Sequence, residues 1–354
     1  MSLIEARFRS TLGAFDLNAA FSMPGQGVTA LFGPSGSGKT TLLRLIAGLA
    51  RADGRLVVNG EVWQDEKAFL PTHRRALGYV FQEASLFPHL SVRGNLDYGW
   101  KRVPAAGRTL NRDDVIGWLG LDSLIERAPH QLSGGQRQRV AIGRALLSCP
   151  RLLLMDEPMA ALDANARAEI LPYLERLHRE LAMPVLYVSH ALDEVARLAD
   201  HLLLINDGRI AYQGPLAEGM TRLDLPLAHR DVAATVLDAI VVGQDAELQL
   251  TRVARGSVEL ELAGLHGSLG APLRVRVAAR DVSLALAMPQ QTSILNLLPA
   301  QVVELAEDAP GQVLVKLALG ETPLLARITR KSARLLNLEK GAQVIAQVKS
   351  VAVA

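Results

Sequence analysis

Between residues 28 and 214 the chain alternates short, wholly apolar runs with longer stretches of helical period, the pattern of strands and crossover helices in a parallel α/β sheet. Strands are expected at 28–32, 76–81, 152–155, 185–189 and 202–205, buried because neither face is polar. Helices are expected in the spaces between, among them 41–47 and 137–147. Beyond about residue 225 the period falls to two. Residues 259–262, 274–277 and 313–317 alternate apolar with polar side chains, and glycine and proline separate them, which predicts a small β-barrel domain. The segments 270–286 and 341–353 each run from a glycine through alternating valines to a charged residue and a closing apolar strand, the pattern of a tandem repeat of one barrel module.

Composition narrows the class. At 354 residues the chain is long enough for two domains. About 49% of residues are hydrophobic, but runs such as 152–155 and 202–205 are far too short to cross a bilayer. Glu5, Arg7 and Arg9 interrupt any apolar leader at the start, so a soluble chain that is not exported is expected. A single cysteine, Cys149, excludes an internal disulfide framework and fits a reducing compartment, and the eight histidines lack zinc-site spacing. A net charge of +2 gives no basis for nucleic-acid binding.

Four strand ends carry the chemistry. Gly33-Pro34-Ser35-Gly36-Ser37-Gly38-Lys39-Thr40 fits the phosphate-binding loop G-x-x-x-x-G-K-[ST], after an expected strand and before the helix opened by Thr41. Its glycines let successive N–H groups turn inward, and the helix start adds partial positive charge. Lys39 then serves the β- and γ-phosphates of ATP, and Thr40 a Mg²⁺ ion bridging them. The run 152–155 ends in Asp156 and Glu157 at the strand edge where ligands bind in such sheets. Asp156 is the metal-side acid, and Glu157 is placed to polarise the attacking water. His190 and Gln82 close two further strands, His190 facing the γ-phosphate and water, Gln82 facing the metal and water.

Leu132-Ser133-Gly134-Gly135-Gln136 precedes a helix and stands just before the acidic strand. With it, in chain order, stand the phosphate loop, the Gln82 loop, Asp156-Glu157, Ala161-Leu162-Asp163 and His190. In this set the chain resembles the ATP-binding cassette (ABC) ATPases, with residues 132–136 as their signature. The resemblance implies an α/β P-loop NTPase domain with a helical subdomain, followed by a small all-β, OB-like barrel domain. Its expected bounds are 1–228 for the ATPase domain, with the helical subdomain at about 85–150, then 229–290 for a linker and first barrel module, and 291–354 for a molybdate-binding-type module. It implies ATP and Mg²⁺ as cofactors. It also implies a two-fold homodimer in which Ser133, Gly134, Gly135 and Gln136 close on the nucleotide of the opposite copy while Asp163 couples the two sites. An aromatic residue stacks on adenine in such proteins, and Phe8 and Phe15 are both open for that place.

The stretch 81–92 resembles the Gln loop of importer ATPases, so its Leu86, Phe87 and Leu90 either dock a membrane permease or pack into the helical subdomain. The tail from Thr292, with Ser293, Lys349 and Ser350, resembles molybdate-binding barrels. Those three residues are the candidates for holding an oxyanion, although Leu295 stands where such modules often carry a basic residue; a barrel that only strengthens the dimer is the other reading. The resemblance thus points to the ATPase subunit of a molybdate importer, peripheral on the cytoplasmic face of the cell's inner membrane, with permease subunits and, indirectly, an external substrate-binding protein as partners. A sulfate, thiosulfate or ferric iron importer is the near alternative. A non-transport ABC ATPase would bring coiled-coil insertions or a second cassette, and the chain has neither.

Overall fold

The computed structural model describes residues 3–13, 15–229 and 233–354. The chain divides into two compact units between Gly214 and Pro215. The second unit therefore starts with the helix Leu216–Thr221, upstream of residue 229.

The first unit is built on a six-stranded sheet in the order Arg209–Pro215, His201–Asn206, Gly27–Phe32, Pro184–Val188, Leu152–Asp156, Leu77–Val80. The pairings from His201–Asn206 to Leu77–Val80 are parallel. Every residue of Leu152–Asp156 and of Pro184–Val188 is buried, as strands covered on both faces must be. The parallel register sets Asp156 beside Val188, so the acidic pair and His190 leave the sheet at one edge.

A second, antiparallel sheet lies within the same unit, ordered Phe15–Pro24, Leu3–Leu12, Asp53–Val58, Glu61–Gln64. Its strands alternate buried and exposed side chains: Ile4, Ala6 and Phe8 face in, Glu5 and Arg7 out. The two sheets share one core with the helix Lys39–Ala47, whose Leu42, Leu43, Leu45 and Ile46 are buried. That helix starts two residues before the expected Thr41. It stops at Gly48, in the left-handed region at φ +73°, a conformation glycine adopts freely. Buried Arg75 donates to Leu45 O and Ile46 O at 3.0 and 2.6 Å, satisfying the last carbonyls, and burial lowers its pKa to about 10.

Helices Val92–Trp100, Arg112–Trp118 and Gly134–Leu146 follow. The last begins at Gly134 rather than at Arg137. Ser133 Oγ accepts from Gln136 N at 3.2 Å, and Gln136 Oε1 accepts from Ser133 N at 3.0 Å, a capping box that holds both glycines in the first turn against their poor helix propensity.

The second unit has two five-stranded sheets: Val258–Ala263, Leu250–Arg255, Ala234–Asp245, Pro272–Ala278, Ala352–Val353, and Val282–Ala285, Gln343–Val348, Asn296–Glu307, Gln312–Leu319, Thr322–Thr329. The two pattern-sharing segments do not close separate modules. Pro272–Ala278 pairs with Ala352–Val353, and Val282–Ala285 pairs with Gln343–Val348, so each segment lends its closing strand to the other's sheet. One hydrophobic core runs through both, from Leu237 and Val253 to Val315 and Val348. The Asn296 side chain accepts from Glu261 N at 2.7 Å and donates to Glu261 O at 2.9 Å, joining the sheets as a strand neighbour would.

Candidate functional site

The phosphate loop is shaped by Gly36 at φ +79° and Gly38 at φ +99°. Gly38 precedes the helix Lys39–Ala47, and no side chain caps that helix, so its first-turn N–H groups remain available to an anion. Ser37 Oγ is buried without a hydrogen-bond partner. Lys39 is buried and donates to Gly33 O at 2.9 Å and Pro34 O at 2.8 Å, which folds it back over the loop. Desolvation lowers its pKa, against the pull of Glu157 and Asp156.

Thr40 Oγ1 lies 3.2 Å from Asp156 Oδ1. Helix start and strand end thus bring two hard oxygen donors together. Burial raises the Asp156 pKa, while hydrogen bonds from Tyr79 and Thr40 work the other way. Among the described residues no three His, Cys, Asp or Glu side chains gather as a metal cluster; a magnesium ion held chiefly by phosphates and water asks for only one or two protein oxygens. The uncapped helix start, the orphaned Ser37 hydroxyl and the Thr40–Asp156 pair together fit a nucleoside triphosphate with a divalent cation.

Glu157 sits in the left-handed region at φ +46°, a conformation costly for a side chain with Cβ. It is held by Glu157 N donating to Val188 O and by Ala160 N donating to Glu157 O, both at 3.1 Å. The turn sets Glu157 Oε2 3.3 Å from His190 Nδ1. Lys39, Thr40, Asp156, Glu157 and His190 therefore form one connected group.

The signature residues do not join that group. No hydrogen bond or ion pair links residues 133–136 to the phosphate loop among the described residues, and Ser133 is exposed. Instead Gly134 and Gln138 line a cleft of about 460 Å³ with Gln82, Leu86, Ala161 and Leu162. Gln138 Nε2 donates to Phe81 O at 3.2 Å and Arg144 Nη1 to Ser85 O at 3.0 Å, bracing the exposed Gln82 loop. Asp163 caps the helix Ala164–Glu180, its Oδ1 accepting from Ala166 N at 2.9 Å. Leu86, Phe87 and Leu90 are each half-buried, and the Phe87 ring lies 4.4 Å from that of Tyr98.

In the second unit the register Asn296↔Val348 brings the loop with Ser293 and the turn with Lys349 and Ser350 to the same end of one sheet. All three are exposed.

One residue escaped the sequence reading, and one choice was left open by it. Tyr79 donates to Asp156 Oδ2 at 3.0 Å, and burial together with that carboxylate drives its pKa up. A tyrosine in an otherwise apolar buried strand needs a partner for its hydroxyl, and that was the available signal. Of the two phenylalanines left open, Phe8 is fully buried in the core, whereas Phe15 is half-buried with its ring tip 2.8 Å from where a Cβ on Gly38 would fall. Only the tertiary structure separates them.

The ABC transporter family matches residues 17–160 and the TOBE domain family residues 292–354. The chain is 58% identical over 352 residues to the Molybdenum import ATP-binding protein ModC of Aromatoleum aromaticum, covering 99% of this chain and 93% of that protein. It is 59% identical to the protein of the same name from Thiobacillus denitrificans, over 99% and 97% of the two chains, and 56% identical to Molybdenum import ATP-binding protein ModC 1 of Azotobacter vinelandii, over 99% and 98%. Among solved structures, cbiO1 of Clostridium perfringens, part of the ABC transporter complex cbiONQ, superposes with a TM-score of 0.53 at 26% identity, covering 61% of this chain and 89% of that one.

Proposed function

The chain belongs to the family of molybdenum import ATP-binding proteins, ABC ATPases with a TOBE-containing tail, and from that premise we propose that it is the ATP-hydrolysing subunit of a molybdate importer. The observation that carries the chemistry is the connected group Lys39, Thr40, Asp156, Glu157 and His190 at one sheet edge. Gly33 and Pro34 shape the loop, and the amides at 35–38, with Lys39, Thr40 and Thr41, hold the phosphates. Lys39 leaves its two carbonyl partners for the β- and γ-phosphates. Thr40 and Asp156 would hold Mg²⁺, which when bound neutralises phosphate charge. Tyr79 keeps Asp156 oriented, and Gln82 lies on the same side with its loop toward the permease. Glu157 accepts the proton of the attacking water, and His190 supports the charge that develops on the terminal phosphoryl group. Phe15, beside Gly38, is the residue we assign to the adenine.

Because Ser133 and the glycines after it lie apart from their own phosphate loop, a second copy supplies them to the γ-phosphate, with Asp163 at the junction. The assembled complex sits peripherally on the cytoplasmic face of the membrane through permease subunits. No described helix is long and apolar enough to cross a bilayer. Ser293, Lys349 and Ser350 would receive the oxyanion in the tail. The test is ATP hydrolysis by the chain reconstituted with its permease and substrate-binding protein in vesicles. Molybdate stimulates hydrolysis and sulfate does not; stimulation by sulfate or ferric iron alone overturns the molybdate reading.

A further inference from the structure

Below His190 lies a buried group that the reaction as described above does not use. Glu194 is 7% exposed, Ser189 2% and Tyr187 1%. One carboxylate oxygen, Glu194 Oε2, accepts from Tyr187 Oη at 2.9 Å and from Ser189 Oγ at 2.7 Å. Ser189 Oγ in turn accepts from Ala191 N at 3.0 Å. Burial and the nearby carboxylate drive the Tyr187 pKa well up, so its hydroxyl stays a donor.

The arrangement answers a local need. The helix Leu192–Leu198 starts after Ala191, which has no side chain to cap it. Ser189 Oγ instead holds the N–H of Ala191 itself, just before the helix, and Glu194, in the first turn, is favoured there by the helix dipole. His190 is the one residue between the two clamped positions 189 and 191. Its own side chain is 56% exposed and 3.3 Å from Glu157. With most of that ring in solvent, the ring's place over the reacting groups is set mainly by the backbone on either side of it.

We infer that Glu194 is a positioning residue for hydrolysis: through Ser189 it fixes the turn that presents His190. This rests on the role assigned to His190 above. It adds a buried carboxylate that touches neither nucleotide nor metal and yet controls turnover, because small misplacements of a reacting group cost large factors in rate.

The test is a set of variants in the full chain assembled with its permease, scored for kcat and for KM of ATP. Glu194→Ala lowers kcat roughly 10- to 100-fold with KM within about twofold, while Glu194→Gln, which keeps an oxygen for both hydroxyls, restores most of it. Adding Glu194→Ala to His190→Ala costs nothing further, since a residue acting only through His190 has nothing left to act on. Should Glu194→Ala fail to fold, Ser189→Ala carries the same expectation, and Tyr187→Phe, which removes a hydroxyl from the same oxygen away from His190, loses stability but far less kcat. Full kcat in Glu194→Ala or Ser189→Ala beside a crippled His190→Ala overturns the positioning role. So does a penalty that simply multiplies with that of His190→Ala. Full kcat in His190→Ala itself overturns instead the role of His190 on which the inference stands.

Discussion

Two helices of the first unit begin at glycine-rich sequences, and their first turns are finished in opposite ways. Lys39–Ala47 follows Gly38 with no side-chain cap, next to a buried hydroxyl that has no partner. Gly134–Leu146 follows Ser133, whose side chain closes a complete capping box with Gln136. The first start leaves its donors for a ligand and is enclosed by Lys39 and the acidic strand end. The second has its Gln136 N–H taken by Ser133 and lies exposed, away from its own phosphate loop. A glycine-rich helix start is thus not one kind of site: one is enclosed by charged groups of its own chain, and the other is capped and open to solvent.

The comparison can be tested by removing its parts. The largest effect is expected from Glu157→Gln, which takes the base from beside the enclosed start. Turnover falls by about 10²–10⁴-fold, ATP affinity is unchanged, and with ATP and Mg²⁺ the variant gathers as pairs in light scattering, which joins the two kinds of helix start. Steady hydrolysis by that variant would take the base away from Glu157. Lys39→Ala removes the cation over the enclosed start and weakens ATP binding by about 2–3 kcal/mol, read by calorimetry; unchanged affinity would mean that Lys39 never leaves Gly33 O and Pro34 O.

Ser133→Ala removes the cap of the exposed start and lowers stability by about 1 kcal/mol. ATP affinity of the single chain is untouched while paired turnover drops, and a fall in single-chain affinity would erase the distinction between the two starts. The smallest effect concerns Asp156. Burial raises its folded pKa above the ordinary 3.8, so the charged carboxylate costs the nucleotide-free fold stability above that folded pKa, and the cost fades as pH falls through it. Asp156→Asn therefore raises the melting temperature of the nucleotide-free protein by about 2 °C at neutral pH, with the gain gone in acid. A lower melting temperature at neutral pH would mean that the bonds from Tyr79 and Thr40 outweigh desolvation.

The five parallel strands from 28 to 205 were legible because a strand buried on both faces needs an unbroken apolar run. The antiparallel sheet over residues 3–64 was not, since its alternation is mixed with arginines and glycines and is completed by strands far apart in sequence. The phosphate loop, the acidic pair, His190 and the signature could be read because each is a short motif whose chemistry needs fixed residue types at fixed spacing. The roles of Tyr79 and Glu194, and the choice of Phe15 over Phe8, could not, because each is set by a partner more than two residues away in the sequence. Helix starts were misplaced by two or three residues at Thr41 and Arg137 for a related reason: glycine reads as a breaker until the cap or the cradle that holds it is seen.

The tail shows the limit most sharply. Its alternating strands and its internal likeness could be read from the sequence, yet the crosswise exchange of Val282–Ala285 and Ala352–Val353 made one core of what reads as two modules. By itself, then, the sequence determined the residue types at the nucleotide site, the family and the strand-forming segments, all of which rest on local pattern. The tertiary structure alone decided which strands pair, which aromatic ring meets the phosphate loop and which carboxylate stands behind His190, because register and burial arise from packing between segments that the chain order keeps apart.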